Sequence, residues 1–357
     1  MISIVIPHWN RAGLLRETAR SVAEQTLADW ELILVDDGSA PEERRALDPL
    51  ASDKVRLVDR REGPKGPSRC RNLGLEASRG EFVLFLDSDD LLAPWCLAQR
   101  LRAAEEYPEA EAWVFPVLLF RESPGDRDTL WNRMDGGDPV ERFLRSDPPW
   151  HTSSPLWRRS ALLELGGFNE RIVYGDDADL HLRALLAGKR FHLAPEALPD
   201  AFIRRSDDER LTNRLTEDLL ASRRIRLEEG SRLLEPASRE RRRTWDGQYF
   251  HELEFLLFNL DHPHEETRRL LALWRKCGHT APPLRTAASL YAATVLATRH
   301  RAYLLTRLAR RAALALFPEP WFPRAGGFES NALDPKRYRM LRERIESPAS
   351  STEAARP

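Results

Sequence analysis

Polar clusters follow apolar runs at regular intervals along the first half of the chain. Pro7-His8-Trp9-Asn10-Arg11 follows Ile2–Ile6, Asp36-Asp37-Gly38-Ser39 follows Leu32–Val35, and Asp87-Ser88-Asp89-Asp90 follows Phe82–Leu86. A further pair, Asp176-Asp177, stands after Gly175 and opens the helical pattern Ala178–Ala187. Taken singly, Asp, Gly and Ser are ordinary turn residues and helix caps, and acids at a helix start are favoured by its dipole. Taken together, carboxylates gathered at one rim repel each other unless a cation lies between them. A divalent metal carrying a phosphorylated ligand meets that need, with Asp87-Ser88-Asp89 as its holder. Asp90 reads as the cap of the next helix, and Asp179 and Arg183, four apart, as an ion pair on the helix surface.

The elements that must position these residues are legible from the apolar pattern. Ile2–Ile6, Leu32–Val35, Val55–Asp59 and Phe82–Leu86 are continuous apolar or β-branched runs, and Ala112–Phe120 reads as a fifth. Continuous runs suit strands buried on both faces, and helical spacing such as Leu14–Gln25 separates them, so the spacing predicts an α/β doubly wound, mostly parallel sheet with helices on both faces. In such sheets ligands gather at the carboxyl ends of the strands, where the polar clusters lie. Beyond about residue 212 strand signals stop. Helical spacing predicts Glu217–Leu234, Arg239–Leu260, His264–Cys277 and Leu284–Phe317. The organisation expected is 1–212, a basic helical region over 213–344, and a disordered tail over 345–357.

Composition narrows the function. A chain of 357 residues, 42% hydrophobic and 31% charged, has material for a large core. Cys70, Cys96 and Cys277 are odd in number and far apart, so neither a disulfide framework nor a zinc pair is expected. No basic and apolar leader precedes ISIVIP, which points to the cytoplasm. No GxGxxG follows the first strand and no GxxxxGK[ST] occurs, which counts against a dinucleotide-dependent dehydrogenase and a P-loop enzyme. No zinc, RNA-recognition or helix-turn-helix pattern supports a nucleic-acid partner.

The segments IVIPHWNR (4–11), ELILVDDGS (31–39), RCRNLGLEASRGEFVLFLDSDD (69–90), LGGFNER (165–171) and YGDDADLHLRAL (174–185) resemble glycosyltransferase family 2 in order and spacing, over residues 1–212. The resemblance implies the GT-A fold, a nucleotide-sugar donor (a UDP-sugar favoured), Mg²⁺ or Mn²⁺, and inversion at the anomeric carbon. It implies that Pro7, Trp9, Asn10 and Arg11 line the nucleotide, that Asp37 contacts base or ribose with Ser39 beside it, and that Arg71 and Asn72 lie near the diphosphate and uracil. Asp87 and Ser88 would face the donor and Asp89 would ligate the metal. Asp177 matches the catalytic base, with Asp176 beside it on the acceptor side. Where relatives place an R-x-H pattern, this chain has Arg205 and Asp207, which makes Asp207 a candidate replacement metal ligand. Trp150, followed by His151 and Thr152, lies in the acceptor-side region, where an exposed ring would stack on a sugar. The acceptor implied is a glycan or lipid-linked glycan in bacterial surface or cell-envelope polysaccharide synthesis. The alternatives are a sugar nucleotidyltransferase, whose usual glycine-rich basic loop is absent after the first strand, and a binding module without turnover, which would not need both carboxylate groups.

The net charge of -1 conceals a segregation. Acids exceed bases by 12 over residues 1–266, whereas residues 267–324 carry 11 basic residues and a single acid, Glu319. Residues 286–298 are uncharged, and Arg299, Arg301, Arg307, Arg310 and Arg311 follow on a helical pattern before Trp321-Phe322. Two readings stand: a helix packing its Leu/Ala face on the rest of the chain, the commoner fate, or a basic amphipathic segment (284–324) lying on an anionic membrane at its inner face.

Overall fold

The computed structural model describes residues 1–131, 133–134, 136–205, 216–299, 302–318, 321 and 331–346. Its strands are β1 (Ile2–His8), β2 (Trp30–Asp36), β3 (Val55–Asp59), β4 (Phe82–Phe85), β5 (Leu91–Leu92), β6 (Ala112–Val114), β7 (Val117–Phe120), β8 (Pro155–Arg158), β9 (Phe191–Leu193) and β10 (Ala201–Arg204). Seven of them form one sheet in the order β3-β2-β1-β4-β8-β6-β9, and β5-β10-β7 form a second. The pairs β1–β2, β2–β3, β1–β4 and β6–β9 are parallel, and β8 runs antiparallel to β4 and β6.

The helices before residue 205 are α1 (Ala12–Ala23), α2 (Pro41–Arg45), α3 (Pro67–Ala77), α4 (Cys96–Glu106), α5 (Pro139–Leu144), α6 (Arg159–Glu164) and α7 (Asp176–Leu186). Strand β1 shows why both sheet faces need cover. Ile2, Ile4 and Ile6 enter one core with Leu15 and Val22 of α1, while Val5 enters another with Cys70 and Leu75 of α3. Successive side chains of a strand point to opposite faces, so a strand with apolar residues on both faces must be sandwiched. The contact is close: a Cβ on Gly74 of α3 would lie 2.2 Å from Val5 Cγ1.

The first run of the sheet reverses order at β1. Going outward, β2 and β3 lie on one side and β4 on the other. Pairing of β1 with β4 stops at Val5↔Phe85, whereas pairing with β2 continues to His8↔Asp36. The carboxyl ends therefore splay apart and leave a crevice at the switch point. Pro7 is tolerated in this central strand because it lies beyond the last β4 partner.

Three expectations need correction. The run Ala112–Phe120 is two strands in different sheets, parted at Phe115-Pro116, because proline supplies no donor to a ladder. Asp90 caps no helix. It is buried at the start of β5, and its Oδ1 accepts the Arg204 N–H at 3.0 Å, tying the end of β4 to β10. The helix expected over 284–317 is two helices.

Those belong to the helical region: α8 (Glu217–Leu233), α9 (Arg239–Asn259), α10 (His264–Cys277), α11 (Pro282–Thr298), α12 (Tyr303–Leu316) and α13 (Pro335–Glu346). Helices α8 to α12 share a core with the first part of the chain, in which Tyr249, Phe250, Trp274 and Val295 pack with Phe143, Trp150 and Leu182. Helix α13 seals the small sheet, with Leu341 fully buried beside Phe120 and Phe202. Residues 345 and 346, expected in a disordered tail, thus end a packed helix, and 347–357 lie outside the described residues.

Candidate active site

Helix α3 follows Gly66, whose φ of +146° an L side chain rarely adopts, and Pro67 fills its first position. This places Arg71 one turn in, buried at the crevice floor. One guanidinium nitrogen donates to Asp87 Oδ1 at 2.7 Å and another to Asp176 Oδ2 at 2.5 Å. Asp87 lies just past β4, and Asp176 is the first residue of α7. A single buried cation therefore draws two carboxylate groups, 89 positions apart in sequence, onto one rim. Opposed charges at such distances inside a protein hold strongly, and Asp176 and Asp87 keep the Arg71 guanidinium charged against the cost of its burial.

The base pair is set by local geometry. Gly175 sits in the left-handed region at φ +71°, which turns the chain into α7. Asp176 also accepts from the Ser68 hydroxyl at 3.0 Å. Burial raises its carboxyl to about 6, with the neighbouring Asp177 and Asp87 charges adding to the rise and Arg71 and Ser68 opposing it. Asp177 goes the other way. Burial pushes it up, but nearby His181, His151, Arg71 and the Thr152 hydroxyl carry it below its usual range. Burial also lowers both imidazoles, His181 to about 4, so at neutral pH they are uncharged and Arg71 and Thr152 are the stabilisers that remain. Of the two acids, Asp177 is the one that stays ionised to lower pH. Its Oδ1 accepts its neighbour's N–H, from Ala178 at 2.8 Å. An ionised carboxylate at this place can take a proton.

The crevice walls come from the loops after β1 and β2. Asp36 Oδ2 accepts the N–H groups of Gly38 and Ser39, both at 3.0 Å. Ser39 Oγ in turn accepts the Asn10 N–H at 3.0 Å, and Asn10 Oδ1 accepts the Ala40 N–H at 2.8 Å. These bonds hold Asn10 at φ +51° and fix the two loops to each other. Asp37 is buried and pairs with Arg60. Half-buried Trp9 has the Lys65 ammonium 3.7 Å from its ring centroid, a cation–π contact.

The acidic segment after β4 divides its work. Asp89 Oδ2 pairs with Arg11 at 3.0 Å, and its carbonyl accepts from Arg204 at 2.9 Å. The Ser88 carbonyl accepts from the Thr18 hydroxyl at 3.1 Å. Ligand atoms of Asp87, Asp90 and His151 lie within 4.8 Å of one another. Two carboxylates suit Mg²⁺ or Mn²⁺. The imidazole does not offer a lone pair as it stands: His151 Nδ1 accepts the Ser153 N–H at 3.2 Å, so in the neutral ring the proton is on Nε2, which faces Asp87 Oδ2 at 3.9 Å. His151 is here a donor towards Asp87 and towards anything anionic bound beside it. Asp207, the candidate replacement ligand, lies outside the described residues, as does the stretch 206–215 around it.

Two residues read from the sequence as ligand contacts are placed otherwise. Trp150 is 1% exposed and packs against Phe143, His181 and Phe191, so its ring is core and not a platform for a sugar. Asn72 is buried, and its amide is spent on the 165–171 loop: Nδ2 donates to the Phe168 carbonyl and to Glu170, both at 2.9 Å, while Oδ1 accepts the Phe168 N–H at 2.8 Å. It positions the segment leading to α7. Sequence reasoning missed His151 beside Asp87 and His181 behind Asp177. The second had a signal, since residues four apart share one helix face. His181 is buried and stacks on Trp157 with planes 10° apart.

Comparison with known proteins bears on the family and the fold. The family described as Glycosyl transferase family 2 matches residues 3–151, and Glycosyl transferase family group 2 matches 82–312. The minor teichoic acid biosynthesis protein GgaA of Bacillus subtilis is 30% identical over 206 residues, covering 55% of this chain and 46% of that protein. The GalNAc(5)-diNAcBac-PP-undecaprenol beta-1,3-glucosyltransferase of Campylobacter jejuni is 32% identical over 197 residues, 54% of this chain and 62% of its own. The chain thus spans about half to three fifths of these relatives' length. Among solved structures, Staphylococcus aureus TarS 1-349 in complex with UDP-GlcNAc superposes with a TM-score of 0.61 at 16% identity, covering 97% of this chain and 92% of that one. That likeness bears on the fold, which is GT-A. With a family match running across more than half of its length, the chain belongs to glycosyltransferase family 2.

Proposed function

We propose that this chain is an inverting glycosyltransferase that moves a sugar from a nucleoside-diphosphate donor, a UDP-sugar in the first instance, to a hydroxyl of a glycan or lipid-linked glycan. The observation that carries the reading is the Arg71 clamp. It sets the acids after β4, where a donor's phosphates would be held, beside the acids at the start of α7, where a base is needed. In this reading residues 1–212 form the catalytic domain and 213–344 a helical region packed on it. The work lies in cell-envelope polysaccharide synthesis at the inner face of the membrane, in line with the teichoic acid and undecaprenol-linked names of the relatives.

Pro7, Trp9, Asn10, Arg11, Asp37 and Ser39 line the nucleotide side, with Arg71 fixing the floor. A divalent ion at Asp87 and Asp90 would offset charge on the departing diphosphate. Asp89 would join that shell if Arg11 turned from it to the donor's phosphates. His151 donates from Nε2 on the same side. Asp177 takes the proton of the attacking hydroxyl from the face opposite the leaving group, within about 3 Å of it. A panel of nucleotide sugars scored by thermal shift with and without Mn²⁺ tests the assignment, because a ligand of the folded state raises the midpoint. A rise for one UDP-sugar that needs Mn²⁺ supports it. No rise for any nucleotide sugar rejects it.

A further inference from the structure

Helix α12 buries one face and exposes another, and the buried face is the poorer in leucine. Thr306, Ala313 and Phe317 just beyond it are buried, at spacings of seven and four. Leu304, Leu305, Leu308 and Leu316 are 68%, 53%, 52% and 64% exposed. Leu304, Leu308, Arg311 and Ala315 follow at intervals of four, three and four, which places them on one stripe. Leu305, Ala312 and Leu316 flank it on one side and Arg307 on the other, all exposed. Of the two sequence readings, packing on the rest of the chain holds for Ala313 and Phe317 but not for these four leucines.

The neighbouring helix adds to the surface. α11 and α12 form a hairpin joined near its closed end by Thr298 and Thr306, whose hydroxyl oxygens are 2.9 Å apart. Outward positions of α11 are Thr286, Leu290, Ala293, Thr294 and Ala297, with Leu290 65% exposed. Phe258 of α9 is 46% exposed beside Arg310. Monomeric proteins seldom leave clustered large apolar side chains in water without a use for them.

Charge says what covers them. From residue 267 to 318 the chain contains no Asp or Glu, although residues 1–266 carry an excess of acid. Arg310 and Arg299 are engaged inward, on Glu254 and on the Leu257 and Asp261 carbonyls. Arg307 and Arg311 are exposed beside the leucines. An apolar stripe flanked by cations, on two helices that themselves carry no acid, matches the boundary between acyl chains and anionic headgroups, where arginine reaches outward from a buried stem. Among the described residues no helix is long and apolar enough to cross a membrane, and α12 at 14 residues falls well short of the roughly 20 required.

We propose that the α11–α12 hairpin is a docking surface for an anionic lipid bilayer, with Leu304, Leu305, Leu308 and Leu316 entering the interface and Arg307 and Arg311 meeting phosphate headgroups. The surface contains no residue of the transfer site, so docking stands or falls apart from the proposed reaction.

The test is flotation of the full chain with vesicles of phosphatidylcholine alone or mixed equally with phosphatidylglycerol, at low and high salt. The expected result is binding to the mixed vesicles only, weakened by salt. Arg307→Gln with Arg311→Gln should reduce the partition coefficient by roughly tenfold or more, at about fivefold per cation. Leu304→Glu with Leu308→Glu should abolish binding while leaving the thermal midpoint unchanged, since both side chains are exposed. No binding at low salt overturns the proposal, as does undiminished binding of the Leu304→Glu/Leu308→Glu variant. Light scattering without vesicles closes the remaining route: a dimer that the same variant dissolves would show that a second copy of the chain covers this face, and would overturn lipid as its partner.

Discussion

Exchanging the two acids at the start of α7 one at a time separates chemistry from structure. Asp177→Asn keeps size and hydrogen-bonding capacity but removes the proton acceptor. Asp177 makes no direct ion pair with Arg71, whose two bonds go to Asp87 and Asp176, so the clamp survives. Loss of a general base costs roughly 10²- to 10⁴-fold in rate, about 3 to 5 kcal/mol of barrier. Donor affinity and thermal midpoint should stay near wild type. Asp176→Asn does the reverse. It takes one of two anions from a buried guanidinium and weakens the bond to Ser68. Breaking a buried pair costs about 3 to 5 kcal/mol when the partner is stranded. Arg71 retains Asp87, and burial already works against the Asp176 charge, so about 2 kcal/mol is expected, a fall in midpoint of roughly 4 to 8 °C. The assays are steady-state transfer, UDP binding by calorimetry, and thermal melting. Near-normal turnover of Asp177→Asn with inactive but fully stable Asp176→Asn would refute the reasoning, for the carboxylate roles would then be exchanged.

Three further outcomes follow from the same contacts. His151→Ala should weaken Mn²⁺-dependent UDP binding by roughly tenfold, because it removes the donor facing Asp87; calorimetry with and without Mn²⁺ reads this, and an unchanged Mn²⁺ dependence would place the ion elsewhere. Gly167→Ala puts a Cβ 2.4 Å from Asn72 Oδ1 at a φ of +68°, so a loss of about 2 to 4 kcal/mol in urea unfolding is expected. Acid should destabilise the fold through His181, whose imidazole burial lowers from 6.5 to about 4. Between those values the unfolded chain binds the proton and the folded chain does not, so stability falls as pH drops from 6.5 and levels off below 4, by at most about 3 kcal/mol. His181→Leu should flatten that part of the stability–pH profile.

The fold was largely legible because its central strands are apolar on both faces, and such runs have few solutions other than a sandwiched parallel sheet. Strand β3 and helix α10 fall on the expected bounds, Val55–Asp59 and His264–Cys277. What failed did so where a local event cut a continuous pattern. Pro116 parts β6 from β7 though hydropathy runs through it, and one helical spacing turns out to be two helices, α11 ending at Thr298 and α12 starting at Tyr303. Asp90 shows a different failure. Its type and place suited a cap, but the backbone enters β5 before any helix begins, and a buried N–H of Arg204 needed an acceptor. A partner 114 residues away leaves no local trace.

The site was legible as a set of acids and hardly at all as a geometry. Order and spacing put Asp37 and Asp87 just past β2 and β4 and Asp177 in the first turn of α7, but only the fold reveals that Arg71 holds Asp87 and Asp176 together and that Asn72, its neighbour in sequence, faces away to secure the 165–171 loop. On a helix, adjacent residues point about 100° apart, and here Arg71 and Asn72 turn to different partners. Trp150 and His151 are likewise adjacent, in the bend and turn that lead to β8; one enters the core and the other faces Asp87. Conversely, Leu304 and Leu308 are leucines, mostly core by type, on a helix of a kind that usually packs its Leu/Ala face. Their exposure emerges only once Thr306 and Ala313 are seen to occupy the packed face. Residue type named the chemistry available to this chain, and helix and strand periodicity, anchored by one buried contact in each element, decides which of those groups share the crevice.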